Sequence, residues 1–306
     1  MKREIQYLTV GVVLGGILIF LLKEAQPKPI QAETQVAEEK GNNGAISGYP
    51  IPEQLSFAGE KVPLERQDIR ERLEREVQVN AFWHSNSVIM IKRANRWFPT
   101  IDSILEANDI PGDFKYLAVA ESGLENVVSP SKAVGFWQFL RGTAGDFGLT
   151  VNREMDQRYD PVLATEAATK YLKQAYEKFG TWTMVAASYN LGMSATAKIV
   201  ENQRPETYYD MRMSEEPSRY IFRILALKNM LENQEQFGFK VPKAFMYELE
   251  KTKSEKITQS IADLHEYALS KNTRYTEIRR LNPWIKGYKL TLKSGQILEL
   301  KLPISE

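Results

Sequence analysis

The chain has 306 residues, 43% hydrophobic and 26% charged, enough apolar material for more than one packed domain. Lys and Arg number 40 against 39 Asp and Glu, and the net charge of +1 argues against a nucleic-acid or strongly anionic partner. With no cysteine there is no disulfide, thiolate metal ligand, thiol nucleophile or lipidated N-terminal Cys, and the two histidines, His84 and His265, are too few for a histidine-based metal site.

Lys2 and Arg3 precede an uncharged, almost wholly apolar run, Tyr7 to Leu22, closed by Lys23. The run is slightly short for a spanning helix, but Ile5 and the interfacial Tyr7 extend it. No small-x-small cleavage site follows directly, so residues 1–23 read as an uncleaved membrane helix with the bulk of the chain outside, a cleaved signal peptide being the alternative. Residues 24–55, rich in Pro, Gln, Glu and Ala and ending in a Gly-Asn-Asn-Gly stretch and its sequel, show no periodicity and read as a flexible tether.

From Asp68 the pattern is helical. Ile69, Leu73 and Val77 step by four, and the spacing predicts one helix to about Arg96, containing Trp83 and His84 and stopped by Pro99. A short helical signal follows at Ile101, Ile104 and Leu105. Phe114, Leu117, Ala118 and Glu121 then stand at i, i+3, i+4 and i+7, on one helix face whose first three residues are apolar. Glu121 ends that stripe just before Ser122-Gly123 breaks the helix. Two readings stay open here: a carboxyl tipped into a cleft, its pKa raised by burial so that it can serve as a general acid, or a Glu at a fraying end that points into water.

Ser129-Pro130 and Gly135 mark a loop over Asn126 to Leu140, in which Phe136, Trp137 and Phe139 surround Gln138. An amide between aromatic rings suits recognition of an acetamido sugar, and equally suits holding a loop carbonyl. Asp160-Pro161 opens a helix and Gly180 closes it, with Leu163, Ala167, Tyr171, Ala175 and Phe179 as its buried stripe. Trp182, Val185, Ala186 and Tyr189 repeat the i, i+3, i+4, i+7 spacing, and Asn190-Leu-Gly192 ends that helix. Tyr189-Asn190 thus sits at the polar tip of a buried helix, as Glu121-Ser122 does. Glu206, Glu215 and Glu216 precede a further helix with the stripe Tyr220, Ile224, Leu227 and Leu231. After Pro242, Ile257, Ile261, Leu264 and Tyr267-Ala268 predict one short helix, and Tyr275, Ile278 and Leu281 predict another. Tyr288, Leu290 and Leu292 alternate with polar residues, as do Leu298, Leu300 and Leu302 beyond Ser294-Gly295, which predicts a hairpin.

Together these stretches resemble the lytic transglycosylase domain of the soluble-transglycosylase, goose-lysozyme-like family, and its membrane-bound transglycosylase D branch in particular. Glu121-Ser122-Gly123 resembles the family's catalytic Glu-Ser motif. Ala133 to Phe139 resembles its Gly-x-x-Gln-Phe/Leu element, Ala187 to Gly192 its Ala-Tyr-Asn-x-Gly motif, and Glu216 to Tyr220 the segment with a Glu four residues before a Tyr. In that last segment the family's common Glu-Thr-Arg-x-Tyr is here Glu-Pro-Ser-Arg-Tyr. Three motifs in order and spacing, over roughly residues 110–232, make the resemblance specific. Residues 253–303 are similar to a divergent LysM peptidoglycan-binding module.

The resemblance implies a mainly α chain: a lysozyme-like α-helical catalytic domain over 56–240, a small C-terminal α+β LysM-like module over 241–306, and the N-terminal membrane helix. It implies cleavage of the β-1,4 bond between N-acetylmuramic acid and N-acetylglucosamine with closure of a 1,6-anhydro ring. Glu121 is then the catalytic residue, Ser122 and Tyr189 orient and polarise it, and Gln138, Asn190 and Glu216 hold the glycan. No metal or organic cofactor is called for. The expected partners are peptidoglycan strands and, through the N-terminal helix, the membrane, with no nucleic acid, at the cell envelope outside the cytoplasm. Two other readings differ in chemistry: a muramidase, which needs a water-positioning acid such as Glu125 or Asp146, and a non-catalytic glycan-binding protein.

Overall fold

A computed structural model describes residues 48–304. The expected membrane helix over 1–23 and most of the expected tether lie outside the described residues, among which no helix is long and apolar enough to cross a membrane. The last part of the expected tether, 48–55, is seen docked on the helices. The Gln78 amide donates to the Tyr49 carbonyl at 2.8 Å and accepts from the Tyr49 N–H at 2.9 Å. The Tyr49 ring stacks on Phe237 and meets Phe82 edge-on, with centroids 5.3 and 5.1 Å apart. Polar composition suggested a free segment, but the aromatic and the two backbone bonds tie it down. The strands β1 (Ser56–Phe57) and β2 (Glu60–Lys61) then pair antiparallel and plant Phe57 in the core.

The single helix expected to reach Arg96 is two, α1 (Gln67–Ala81) and α2 (His84–Ala107), and Pro99 lies inside α2 instead of ending it. The break falls at Phe82-Trp83, where the buried Ser87 hydroxyl donates to the carbonyls of Asn80 and Trp83 and so satisfies the corner. A proline inside a helix costs about 3 kcal/mol. Burial of Ile101 and Leu105 beyond it, at about 2 kcal/mol each, offsets that cost and carries the helix through.

Next come α3 (Phe114–Ser122), starting where the spacing predicted, α4 (Arg141–Asp146), α5 (Pro161–Phe179), α6 (Trp182–Leu191), α7 (Met193–Gln203) and α8 (Glu215–Glu232). Asp160 caps α5 as anticipated, accepting from the N–H groups of Val162 and Leu163. Neither α4 nor α7 was legible, because each buries one residue only and so carries no stripe. The central element is α8. Its predicted stripe is buried, and so are Ile221, Phe222, Leu225, Ala226 and Met230, as expected of a helix surrounded on every side. α1, α3 and α6 pack against it.

The C-terminal module runs β3 (Thr252–Ile257), α9 (Leu264–Ser270), α10 (Tyr275–Leu281) and β4 (Leu298–Pro303). The expected hairpin around Ser294-Gly295 does not form, and Ile257 and Ile261 are not helical. β4 pairs antiparallel with β3, Ile257 opposite Leu298 through Thr252 opposite Pro303. Leu298, Leu300 and Leu302 bury one face as the alternation required, but the mate is the distant strand. Tyr288, 76% exposed, has no apolar face to share with them, and Leu290 forms only an isolated bridge to Ile261. The described chain is therefore mainly helical with a small C-terminal sheet module.

Candidate active site

Five stretches of chain line a cleft of about 440 Å³: the end of α3, the loop 126–140 with Thr143 of α4, Tyr171 of α5, the end of α6 and the first turns of α8. Gly123 stops α3 in a left-handed conformation, φ 61°, its N–H bonded to the Val119 carbonyl at 2.8 Å. That stop leaves Glu121 at the tip of a helix whose Phe114, Leu117 and Ala118 are fully buried, and the half-buried Glu121 carboxyl lines the cleft.

Burial pushes the Glu121 carboxyl up to about 7. A hydrogen bond from the Tyr220 hydroxyl opposes burial by stabilising the carboxylate; nearby Glu216 raises the value further and Arg223 lowers it. Tyr220 is 2% exposed, and its own hydroxyl is held well above its ordinary range, first by burial and then by Glu121, so it remains a donor. Glu216, Tyr220 and Arg223 stand at i, i+4 and i+7 on α8, one face turned to the cleft. Glu216 is exposed and lies 3.6 Å from the Arg223 guanidinium. Behind Arg223, the fully buried Glu76 of α1 meets Arg219 at 2.6 Å and Arg223 at 4.0 Å.

The structure brings Glu121, Gln138, Tyr189, Asn190 and Glu216 together around the cleft. It corrects what three of the expected residues touch. Ser122 does not reach the Glu121 carboxyl: its hydroxyl donates to the carbonyls of Ala118 and Phe136, at 3.2 and 2.9 Å, and so ties α3 to the loop. The Tyr189 hydroxyl donates to the Trp137 carbonyl at 2.7 Å, and its ring packs on Tyr171 at 5.0 Å. It braces the loop, and Tyr220 takes the place at Glu121 that was expected of it. The Gln138 amide, at a left-handed φ of 47°, donates to the carbonyls of Gly135 and Val127, at 2.8 and 3.2 Å. Its NH2 is thus spent within the loop, and its amide oxygen is what it can offer a ligand.

The two acids suggested for a hydrolase, Glu125 and Asp146, fall elsewhere. Glu125 is exposed and paired with Arg93 at 2.8 Å, and Asp146 sits exposed at the end of α4; neither lines the cleft. Tyr220 and Arg223 were missed as site residues because Tyr220 completes an apolar stripe, and buried tyrosines usually are core. The usable signal was the Glu216–Tyr220–Arg223 spacing, which puts a charged pair on the same face as that Tyr.

Residues 104–211 match the family described as "Transglycosylase SLT domain", and residues 253–306 match "Soluble lytic transglycosylase C-terminal LysM-like domain". Over 196 residues the chain is 24% identical to the membrane-bound lytic murein transglycosylase D of Escherichia coli K12, covering 61% of this chain and 42% of the relative, with the same figures for the protein of that name from Escherichia coli O6:H1. The chain thus spans less than half the length of these curated relatives. It carries an SLT-type transglycosylase domain and a LysM-like C-terminal domain. Tyr220 and Arg223 lie beyond the first match, so their place in the site rests on geometry.

Proposed function

We propose that the protein is a peptidoglycan lytic transglycosylase, with a lysozyme-like catalytic domain over 56–240 that includes the matched SLT segment, and a LysM-like module over 241–306. It cleaves the β-1,4 bond between N-acetylmuramic acid and N-acetylglucosamine and leaves a 1,6-anhydro ring on the muramic sugar. The observation that carries this reading is the Glu121 carboxyl: raised to about 7, hydrogen-bonded by a buried tyrosine and open to the cleft.

A proton affinity near neutrality lets one group work both ways. Protonated Glu121 donates to the glycosidic oxygen as that oxygen leaves C1. The carboxylate so formed takes the proton of the muramic C6 hydroxyl while the C6 oxygen bonds to C1, so one bond breaks, one forms and no water is consumed. Tyr220 holds one carboxylate oxygen and stabilises the charged half of the cycle. Asn190 and the Gln138 oxygen offer hydrogen-bonding groups to the glycan, and the Glu216–Arg223 pair forms a polar rim beside them. A muramidase would need a second carboxylate to position water; Glu125 and Asp146 lie outside the cleft, and the carboxylate that does line it, Glu216, is paired with the Arg223 guanidinium at 3.6 Å. The relatives' printed name, membrane-bound, together with the apolar run Tyr7 to Leu22, supports a site of action at the cell envelope with the N-terminal segment as anchor.

Glu121→Gln tests the assignment. Loss of the general acid should slow release of soluble fragments from peptidoglycan by about 10²- to 10⁴-fold, with glycan binding retained. A variant as fast as the parent would show that Glu121 is structural and the reaction centre lies elsewhere.

A further inference from the structure

The segment joining α4 to α5 carries two buried ionic residues, Asp156 and Arg158, that no step of the proposed chemistry uses. On one side the segment is built into the C-terminal module. Met155 is buried among Ile257, Leu264, Ile278, Trp284 and Leu300, and forms an antiparallel bridge with Ile285. The Asp156 N–H donates to the Trp284 carbonyl at 2.7 Å. The Glu154 carbonyl accepts from the N–H groups of Lys286 and Gly287, at 2.8 and 3.0 Å, and its carboxylate accepts from the Thr291 N–H at 2.7 Å.

On the other side the same segment grips the cleft wall. The Arg158 guanidinium is forked onto the Asp156 carboxylate through two bonds of 2.9 and 2.8 Å. Its remaining nitrogen donates to the carbonyls of Phe139 and Lys132, at 3.0 and 3.2 Å. The Asn126 amide donates to the Tyr159 carbonyl at 2.9 Å, from the loop back to the segment. Phe139 and Gln138 line the cleft. A planar guanidinium can hold a carboxylate and two carbonyls in one arrangement, which a lysine ammonium cannot reproduce.

We propose that the C-terminal module is a working part of the cleft: docked against residues 154–156, it fixes Asp156, and through it the positioning residue Arg158 holds the 132–139 wall in the shape that seats the glycan. This rests on the reading of the cleft as a glycan site. The module then acts on turnover of any substrate that fills the cleft, whether or not that substrate is long enough to touch the module.

The test compares the full chain with two variants. Met155→Asp undocks the module, since it would bury a carboxylate among Ile257, Leu264, Ile278, Trp284 and Leu300, and Arg158→Lys breaks the fork while keeping the charge. Turnover is measured on a short soluble glycan fragment and on polymeric peptidoglycan, alongside hydrogen exchange of the 132–140 backbone. Both variants should lose about tenfold or more in kcat on the short fragment, with faster exchange over 132–140 and little change in the exchange of α5 and α8. Parent-like turnover of the short fragment and parent-like exchange, with loss confined to the polymer, would overturn the proposal and leave the module a glycan grip. If the undocked variant does not fold, Arg158→Lys carries the same two readouts. If the parent leaves both the fragment and the polymer intact, the glycan reading of the cleft fails, and exchange still decides whether the module holds the wall.

Discussion

At the scale of single residues, the proposed chemistry turns on how Glu121 is balanced. Desolvation favours the neutral acid, and the Tyr220 hydroxyl favours the carboxylate. Tyr220→Phe removes the second influence, so the Glu121 pKa must rise above about 7 and the alkaline limb of the pH–rate profile must move upward while the maximal rate falls. Tyr189→Phe removes a bond to the Trp137 carbonyl instead. It should cost about 1 kcal/mol of stability and leave the limb in place. The opposite pattern would restore Tyr189 to the role expected for it from the sequence. Stability carries the same signature. Below pH 4.5 the carboxyl holds its proton in both states; between 4.5 and 7 only the folded state does, so stability falls as pH rises through that window. The loss is on the order of 3 kcal/mol. Glu121→Gln titrates nothing at this position, so its melting temperature relative to the parent should climb between pH 4.5 and 8; a constant difference would show that Glu121 is not raised. The place of Glu121 at the tip of a buried helix was legible, because a charge ending an apolar stripe is visible in any sequence. Its partner was not, because a tyrosine in a stripe looks the same whether its hydroxyl meets a carbonyl or a carboxylate.

At the scale of elements, two glycines separate strain from collision. Gly180 closes α5 at φ 72° with open space around it, so Gly180→Ala meets only the left-handed penalty, about 1 kcal/mol. Gly135, at φ 83°, stands where a Cβ would come 2.0 Å from the Arg158 carbonyl. Gly135→Ala must displace the loop from the α4–α5 segment, and we expect a larger fall in melting temperature than for Gly180→Ala and a large loss of turnover, measured by thermal unfolding and fragment release. Equal effects of the two would mean that the loop yields at no cost. Elements with strong local signals, such as α3, α5 and α6, were readable because cap, stripe and stop coincide. The failures have a common cause. The corner at Phe82-Trp83 is satisfied by Ser87, the passage through Pro99 is driven by burial of Ile101 and Leu105, and β4 chooses β3 over its neighbour. In each case a tertiary contact decides, and no local pattern records it.

At the scale of the whole molecule, the fold explains why the site is spread over about a hundred residues. α8 is buried on nearly every side from Tyr220 to Leu231, and its more open first turns bring Glu216, Tyr220 and Arg223 to a cleft that Glu121 reaches from α3 and whose wall is braced by α6. Of the two carboxyls lining the cleft, Glu121 is the one raised by burial, while Glu216 is exposed and paired with Arg223, so both proton transfers are proposed for Glu121: donation to the leaving sugar and then withdrawal from the C6 hydroxyl. The most direct measurement is the mass of the products when the full chain is incubated with purified peptidoglycan. Muramic ends lighter by one water than hydrolysis would give are expected, and should disappear in Glu121→Gln. Hydrated, reducing ends would contradict the single-carboxyl reaction and point to Glu216, the other carboxylate of the cleft, as the group that positions water.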